Sequence, residues 1–291
     1  MPLALATAIS ACHSDDDLAP LQQACAAEGL RADIVAWDDP TVSWSRFDAV
    51  LLRSTWDYTR RLPEFLDWCE RVAARTRLLN PIEVVRWNVD KHYLGEIAAR
   101  GVPVIESHYL EPGDDPATLP ELPEFVLKPC VGAGSRGARR FVAAERDAAL
   151  AHARELLAQG HSVLQQPYLA QVDALGETAL IFFEGRFSHA IRKGPLLRRG
   201  EAATRALFAP EHIAARAPSD EERAVARLVV ASLPFERLAY ARVDLLPSPQ
   251  GPQLLELELT EPSLFFATAP GAAERFAKTL AARLEAVGAE G

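Results

Sequence analysis

Residues 240–266 read YARVDLLPSPQGPQLLELELTEPSLFF. Val243, Leu245 and Leu246 mark one strand. Leu255, Leu257 and Leu259 alternate with Glu256 and Glu258 in a second, and the proline-rich run 247–252 between them can only be a loop. Strand side chains alternate between faces, so Glu256 and Glu258 share one face and the leucines the other. If the hairpin closes with residue 244 opposite 256, Asp244 joins the acidic face and Arg242 falls opposite Glu258. Carboxylates directly opposed across a strand pair repel. One reading is the solvated face of an amphipathic hairpin. The other is a cage of hard oxygen ligands for Mg²⁺, whose charge removes the repulsion. Mg²⁺ is usually held by one or two carboxylates plus substrate phosphates, so the rest of the chain must then supply a nucleotide site.

Outward from this hairpin, the 291 residues leave room for two or three small domains. A chain 49% hydrophobic and 24% charged, with mean hydropathy −0.03, is globular rather than disordered or fibrous. The net charge of −9 argues against a general nucleic-acid binder. Cys12, Cys25, Cys69 and Cys130 form no CxxC pair, so neither zinc nor a disulfide framework is indicated. No apolar run approaches ~20 residues, so no membrane span is expected. ISAC at 9–12 looks like a lipoprotein cleavage site, but no Lys or Arg precedes it. Residues 3–10 are therefore read as a first β-strand, and the protein as cytoplasmic.

Asp15, Asp16 and Asp17 then offer an N-cap and acidic first turn to a helix over 18–28, closed by Gly29. Strands at 33–37 and 49–53 complete a strand–helix–strand rhythm that suggests a doubly wound parallel unit. RSTWDY at 53–58 follows the carboxyl end of the third strand, where ligands dock in open α/β sheets. Arg53, Ser54, Thr55 and Asp57 are therefore substrate-contact candidates; the other reading is a helix cap and a packed Trp. A helix follows over 63–76, and 78–81 starts a linker. Another helix opens at Trp87 and runs to about Arg100, and a short strand covers 102–105. Residues 178–193 form a hairpin, 194–209 a basic loop, 219–232 a helix, and a last helix ends near Val287.

GAGSRG at 132–137 fits the letters of a dinucleotide fingerprint. That fingerprint needs a helix directly after it, whereas Arg139, Arg140, Phe141 and Val142 look like a strand. No Gly-Lys-Ser/Thr ends the loop, and the chain lacks the kinase motifs. What remains is a glycine hairpin loop whose amides can close over phosphates, preceded by Lys128 on a strand; otherwise it is an ordinary turn. Gln166, Pro167, Tyr168 and Leu169 would be an interdomain hinge offering backbone groups to an adenine edge, or simply a strand end. Lys91, Lys128 and Lys193 come from separate elements, and each taken singly reads as a surface charge.

In this order the pieces resemble the ATP-grasp superfamily of carboxylate–amine ligases. Glutathione synthetases and ribosomal-protein glutamate ligases are similar from about residue 80 to the end. RSTWDY at 53–58, RFSHAIRK at 186–193 and ELTEPS at 258–263 look like the branch containing D-cycloserine synthetase. The resemblance implies that Lys91 and Lys128 contact ATP phosphates. It places Gly132, Ala133, Gly134 and Ser135 in a lid over them, and gives adenine to the backbone of 166–169. Asp173 or Glu177 would take the ribose hydroxyls, and Asp244, Glu256 and Glu258 would hold two Mg²⁺. Relatives usually carry Asn where this chain has Glu258, so its cage is more anionic. They also carry an Arg-x-Asn with paired glycines where this chain reads LRRGE at 197–201.

The expected fold is α/β of ATP-grasp type: an N-terminal Rossmann-like domain (1–85), a central lobe with the glycine loop (86–168) and a C-terminal lobe with the Mg²⁺ site (169–291). The expected reaction activates a small, amino-acid-like carboxylate as an acyl phosphate, which an amine then attacks; in the D-cycloserine branch both belong to one molecule. Arg242 and Lys193 would stabilise the moving charge, and Arg198 or Arg199 would clamp the substrate carboxylate. ATP and Mg²⁺ are the expected cofactors, nucleic acid and membrane are not expected partners, and a homodimer is an open alternative. The competing classes are a peptide or amino-acid ligase, an NAD(P)-dependent oxidoreductase and a nucleotide-binding regulator without chemistry.

Overall fold

Apolar strands that alternate with helices return by crossover and so line up in parallel. The N-terminal strands do this: β1 (Pro2–Thr7), β2 (Arg31–Ala36), β3 (Ala49–Leu52) and β4 (Arg77–Leu79) form one sheet in the order β2-β1-β3-β4, with every pair parallel. The computed structural model describes residues 1–197 and 212–288. Helix α1 (Leu18–Ala27) covers one face of this sheet and α2 (Leu62–Ala73) the other. That explains why β3 is buried along its whole length. The linker expected at 78–81 is in part β4, whose Leu78 and Leu79 are buried. A three-residue strand inside a parallel sheet is too short to show a period.

A second sheet follows: β5 (His108–Leu110), β6 (Glu124–Pro129), β7 (Arg139–Val142) and β8 (Val163–Pro167), in the order β5-β8-β6-β7 and antiparallel throughout. The helix expected from Trp87 is two short ones, α3 (Ile82–Asn88) and α4 (Tyr93–Ala99). The break has a tertiary cause: the Lys91 N–H donates to the Cys130 carbonyl at 3.1 Å, across to the end of β6. Nor is 102–105 a strand; it makes one bridge, Val104 to Leu254. Helix α5 (Arg146–Ala158) backs this sheet.

After the short α6 (Val172–Leu175), the third sheet comprises β9 (Glu177–Phe183), β10 (Arg186–Lys193), β11 (Ile213–Arg216), β12 (Tyr240–Leu246) and β13 (Gln253–Glu258). Its order is β11-β10-β9-β12-β13, again antiparallel. Helix α7 (Asp220–Ser232) opens on a capping box, in which the Glu222 N–H donates to the Ser219 hydroxyl and the Glu222 carboxylate accepts from the Ser219 N–H. Helix α8 (Ala272–Gly288) buries Phe276, Leu280 and Leu284 in one core with Leu18 and Leu21 of α1, so the end of the chain packs on its beginning.

Strand β13 is last in its sheet, and a bare edge would leave backbone groups unpaired. Polar side chains from before and within α3–α4 take them. Tyr93 Oη donates to the Leu257 carbonyl and accepts the Leu257 N–H, both at 2.9 Å. Asn88 accepts from the Leu259 N–H at 2.7 Å and donates to the Leu257 carbonyl at 2.8 Å. Asn80 donates to the carbonyls of Leu259 and Tyr240 and accepts the Ala239 N–H. These buried contacts hold the acidic strand in place.

Candidate active site

The hairpin closes in the register that alternation predicts, with Asp244 opposite Glu256 and Arg242 opposite Glu258. The register then slips between Asp244 and Leu245, and Leu245 faces Leu254. Leu255 therefore turns toward the cavity, while Leu257 and Leu259 stay in the core; the expected single leucine face is split.

Cations from three elements separate the acids. Lys193 on β10 donates to Asp244 Oδ2 at 2.7 Å and to Glu177 Oε1 at 2.6 Å. Arg242 grips Asp244 through Nε at 2.9 Å and Nη2 at 2.9 Å, and its Nη2 also bonds Glu258. Lys91, in the break between α3 and α4, pairs with Glu256 Oε1 at 2.9 Å and donates to the Gly132 carbonyl at 3.1 Å. Burial pushes the Asp244 carboxyl up, but Arg242 and Lys193 outweigh it and hold it below the usual range. Burial raises Glu177 to about 7 against the pull of Lys193, and Glu258 to about 7 against the pull of Arg242. Lys128 is pushed down by burial and by nearby Lys91, with Glu256 opposing. The four acids Glu177, Asp244, Glu256 and Glu258 and the cations Lys91, Lys128, Lys193 and Arg242 line one cavity of about 530 Å³, a volume typical of small-molecule sites.

The glycine loop lines the same cavity, with Gly132, Ala133, Gly134, Ser135 and Arg136 on the wall. Gly137 has φ +75°, and a Cβ there would press on Pro129 Cδ at 3.1 Å. Gly176, with φ +73°, matters on the other side: a Cβ would fall 2.5 Å from the Lys193 carbonyl, so only glycine lets β9 begin tight against Lys193. A third wall is apolar: Ile105, Val172, Leu246 and Leu255 beside Tyr168 and Leu169.

Several sequence-predicted residues stand elsewhere than expected. The Tyr168 N–H is already donated to the Glu124 carbonyl at 2.9 Å, so it is not open to an adenine edge. Gln166 and Pro167 pair with Val126 and Phe125 as part of β8, and Gln166, Pro167, Tyr168 and Leu169 all line the cavity. Asp173 is tied to Arg140 at 3.3 Å and to Tyr168 Oη at 2.5 Å, and does not line the cavity. Glu177 does, but in the Lys193–Asp244 group. Arg53, Ser54, Thr55 and Asp57 are not on the wall. Arg53 is fully buried and donates to the Pro262 carbonyl at 2.7 Å; Ser54 bonds Thr7; Asp57 accepts from Trp37 and Arg61. A 3₁₀ turn over Trp56–Arg60 turns Trp56 and Tyr58 to the cavity in their place. Arg198 and Arg199 lie outside the described residues.

Sequence reasoning missed Glu261, Ser263 and Phe265 on the cavity wall. It also missed Asp17, whose carboxylate caps no helix but accepts the N–H groups of Leu264, Phe265 and Phe266 at 2.6, 3.0 and 2.8 Å. Asp90, His92 and Cys130 come within 4.8 Å of one another, but both His92 nitrogens already face carboxylates, Asp90 at 2.5 Å and Glu111 at 2.9 Å. Among the described residues no helix is long and apolar enough to cross a membrane.

Comparison with known proteins gives consistent matches. The family model for the N-terminal domain of D-cycloserine synthetase DcsG matches residues 3–80. The cycloserine biosynthesis protein DcsG of Streptomyces lavendulae is 41% identical, over 97% of this chain and 99% of that protein. A crystal structure of D-cycloserine synthetase DcsG superposes with TM-score 0.91 and 41% identity, covering 98% of this chain and 100% of that one. The ATP-grasp ligase PsnB, solved with a phosphomimetic variant of its minimal precursor, Mg and ADP, superposes with TM-score 0.65 at 20% identity, covering 97% and 98%; at that identity the likeness is one of fold.

Proposed function

The chain belongs to the D-cycloserine synthetase family, and on that premise we propose that it closes a ring within one amino-acid-like molecule. It is an ATP-grasp ligase, an enzyme that forms carbon–nitrogen bonds. In the proposed reaction the γ-phosphoryl of ATP passes to the substrate carboxylate, an amine nitrogen of the same molecule attacks that carbon, and phosphate leaves as the C–N bond forms. The observation that carries this reading is the alternation of charge along one cavity wall, Glu177–Lys193–Asp244–Arg242–Glu258, with Lys91–Glu256 beside it.

The donor set fits Mg²⁺: Asp244, Glu256 and Glu258 present hard oxygens and no nitrogen or sulfur. When bound, the metal would neutralise phosphate charge. The chain's own residues do the rest. Lys91 and Lys193, now paired with Glu256 and Asp244, are placed to turn to phosphate oxygens as those acids find other partners. Lys128 faces the cavity beside them. Arg242 remains tied to Asp244 and presents its guanidinium where charge develops on the carbonyl oxygen. The glycine loop closes over the phosphates through backbone N–H groups. Ile105, Val172, Leu246 and Leu255 form the apolar slot for the base. The reading divides the chain at 85 and 168, between the first, second and third sheets, although the first of these points falls within α3.

The test is ADP release from ATP and Mg²⁺ across O-substituted D-serines, with the product identified by mass. Glu256→Gln keeps the size of the side chain and removes a ligand charge. Its turnover should fall by about 10–100-fold with circular dichroism unchanged. Wild-type turnover of the variant at saturating Mg²⁺ would assign the acids a merely structural role.

A further inference from the structure

Among the acids that β9, β12, β13 and the segment after β13 bring to the cavity wall, one carboxylate stands apart from the charge network. Glu177, Asp244, Glu256 and Glu258 each have a Lys or Arg in contact. Glu261 lines the same cavity and is 7% exposed, and among the described residues no salt bridge reaches it. Tyr58 lines the same cavity, and against burial it and Lys91 pull the Glu261 carboxyl down. The backbone around it is clamped. Trp56 Nε1 donates to the Glu261 carbonyl at 3.0 Å, Arg53 Nη2 to the Pro262 carbonyl at 2.7 Å, and Arg242 Nη1 to the Ser263 carbonyl at 3.2 Å. Three side chains, two of them from RSTWDY, thus hold one acid in a fixed place next to the group that handles the reacting carboxylate.

A buried carboxylate without a salt bridge is costly to charge. Burial, with nearby Glu258 adding to it, pushes Glu261 up to about 8. A structural Glu would be better replaced here by Gln, which keeps the size of the side chain without that cost. The arrangement suits a ligand that brings its own positive charge. In an α-amino acid the ammonium is two bonds from the carboxyl carbon. A substrate whose carboxylate lies at Arg242 therefore carries its ammonium toward the neighbouring segment 261–263.

We propose that Glu261, oriented by Tyr58, is the receptor for the α-ammonium group of the substrate, so that the site selects α-amino acids over carboxylic acids that lack the amine. This rests on the ligase reading above and adds the residue that recognises the substrate's amine. It also assigns RSTWDY its part: Arg53 and Trp56 act as positioning residues for Glu261 rather than as substrate contacts.

Calorimetric titration of the ADP- and Mg²⁺-loaded enzyme tests this, with D-cycloserine and its des-amino ring, isoxazolidin-3-one, as probes. Wild type should bind the amine-bearing ring about 10–100-fold tighter, the worth of a charge-assisted hydrogen bond. Glu261→Gln should bind the two rings alike while keeping the wild-type affinity for ADP. Tyr58→Phe, which leaves the carboxylate but frees its orientation, should lose part of the discrimination and covers the case in which the Gln variant does not fold. Unchanged discrimination in either variant, or none in wild type, overturns the proposal. The titration needs no turnover, so an enzyme that releases no ADP with any acid would refute the reaction proposed above while the discrimination is read independently.

Discussion

Replacing Asp17 with Asn would cut the tie between the start of α1 and the segment that carries Ser263 and Phe265 into the cavity. The Asp17 carboxylate is 5% exposed, accepts three backbone N–H groups at 2.6, 2.8 and 3.0 Å, and has Arg53 Nη2 at 4.0 Å. A hydrogen bond to a charged group contributes about 1.5–3 kcal/mol. Asn keeps one acceptor oxygen but turns an NH₂ group toward the remaining donors, so at least one N–H is left facing another. It also leaves Arg53, which is fully buried, without its nearest acid. Together these changes should cost about 3–5 kcal/mol, which for a chain of this length lowers Tm by roughly 6–10 °C. Asp16, next in sequence and exposed, is the control: Asp16→Asn changes net charge equally and should stay within ~0.5 kcal/mol. The assay is a thermal melt followed by tryptophan fluorescence. A Tm for Asp17→Asn within about 2 °C of wild type would refute the account, because the three bonds would then be worth no more than one exposed contact.

Two further outcomes are expected. Glu261 titrates at about 8 when folded, against an ordinary value of 4.5. The folded state therefore holds a proton between those pH values that the unfolded chain has released, so stability falls as pH rises through this window. Without ligand, wild type should lose Tm relative to Glu261→Gln from pH 5 to 8; a gain would reverse the sign of the argument. Separately, Asn88→Ala strands the Leu259 N–H on the edge of β13, while the Leu257 carbonyl keeps its bond from Tyr93. It should cost about 1–3 kcal/mol in urea denaturation, the cost of one stranded group, and an effect below about 0.5 kcal/mol would mean the edge is held by other contacts.

Local rules read much of this chain correctly because they depend only on neighbours in sequence. Which side of a strand a residue faces is set by the pleat, so Asp244, Glu256, Glu258 and Arg242 were brought together from alternation alone. The Ser219 cap of α7 is likewise local. The same rules misread Asp17 as a helix cap, since a carboxylate near a helix start is equally able to accept N–H groups from a distant loop. They split the 3₁₀ turn at 56–60 the wrong way, because a one-residue change in phase exchanges Trp56 and Tyr58 for Thr55 and Asp57.

What the sequence determined alone is the chemistry on offer: an acidic hairpin, lysines on separate elements and a glycine loop, enough to identify the fold and the class of reaction. What only the tertiary structure decided is which groups meet. Lys91, from the break between α3 and α4, reaches Glu256, and Lys193 reaches Asp244 and Glu177 from other strands of the same sheet. Among the described residues, no salt bridge reaches Glu261 for the same reason. Charge pairing in a buried site depends on distance and on excluded water, and neither is a property of sequence spacing.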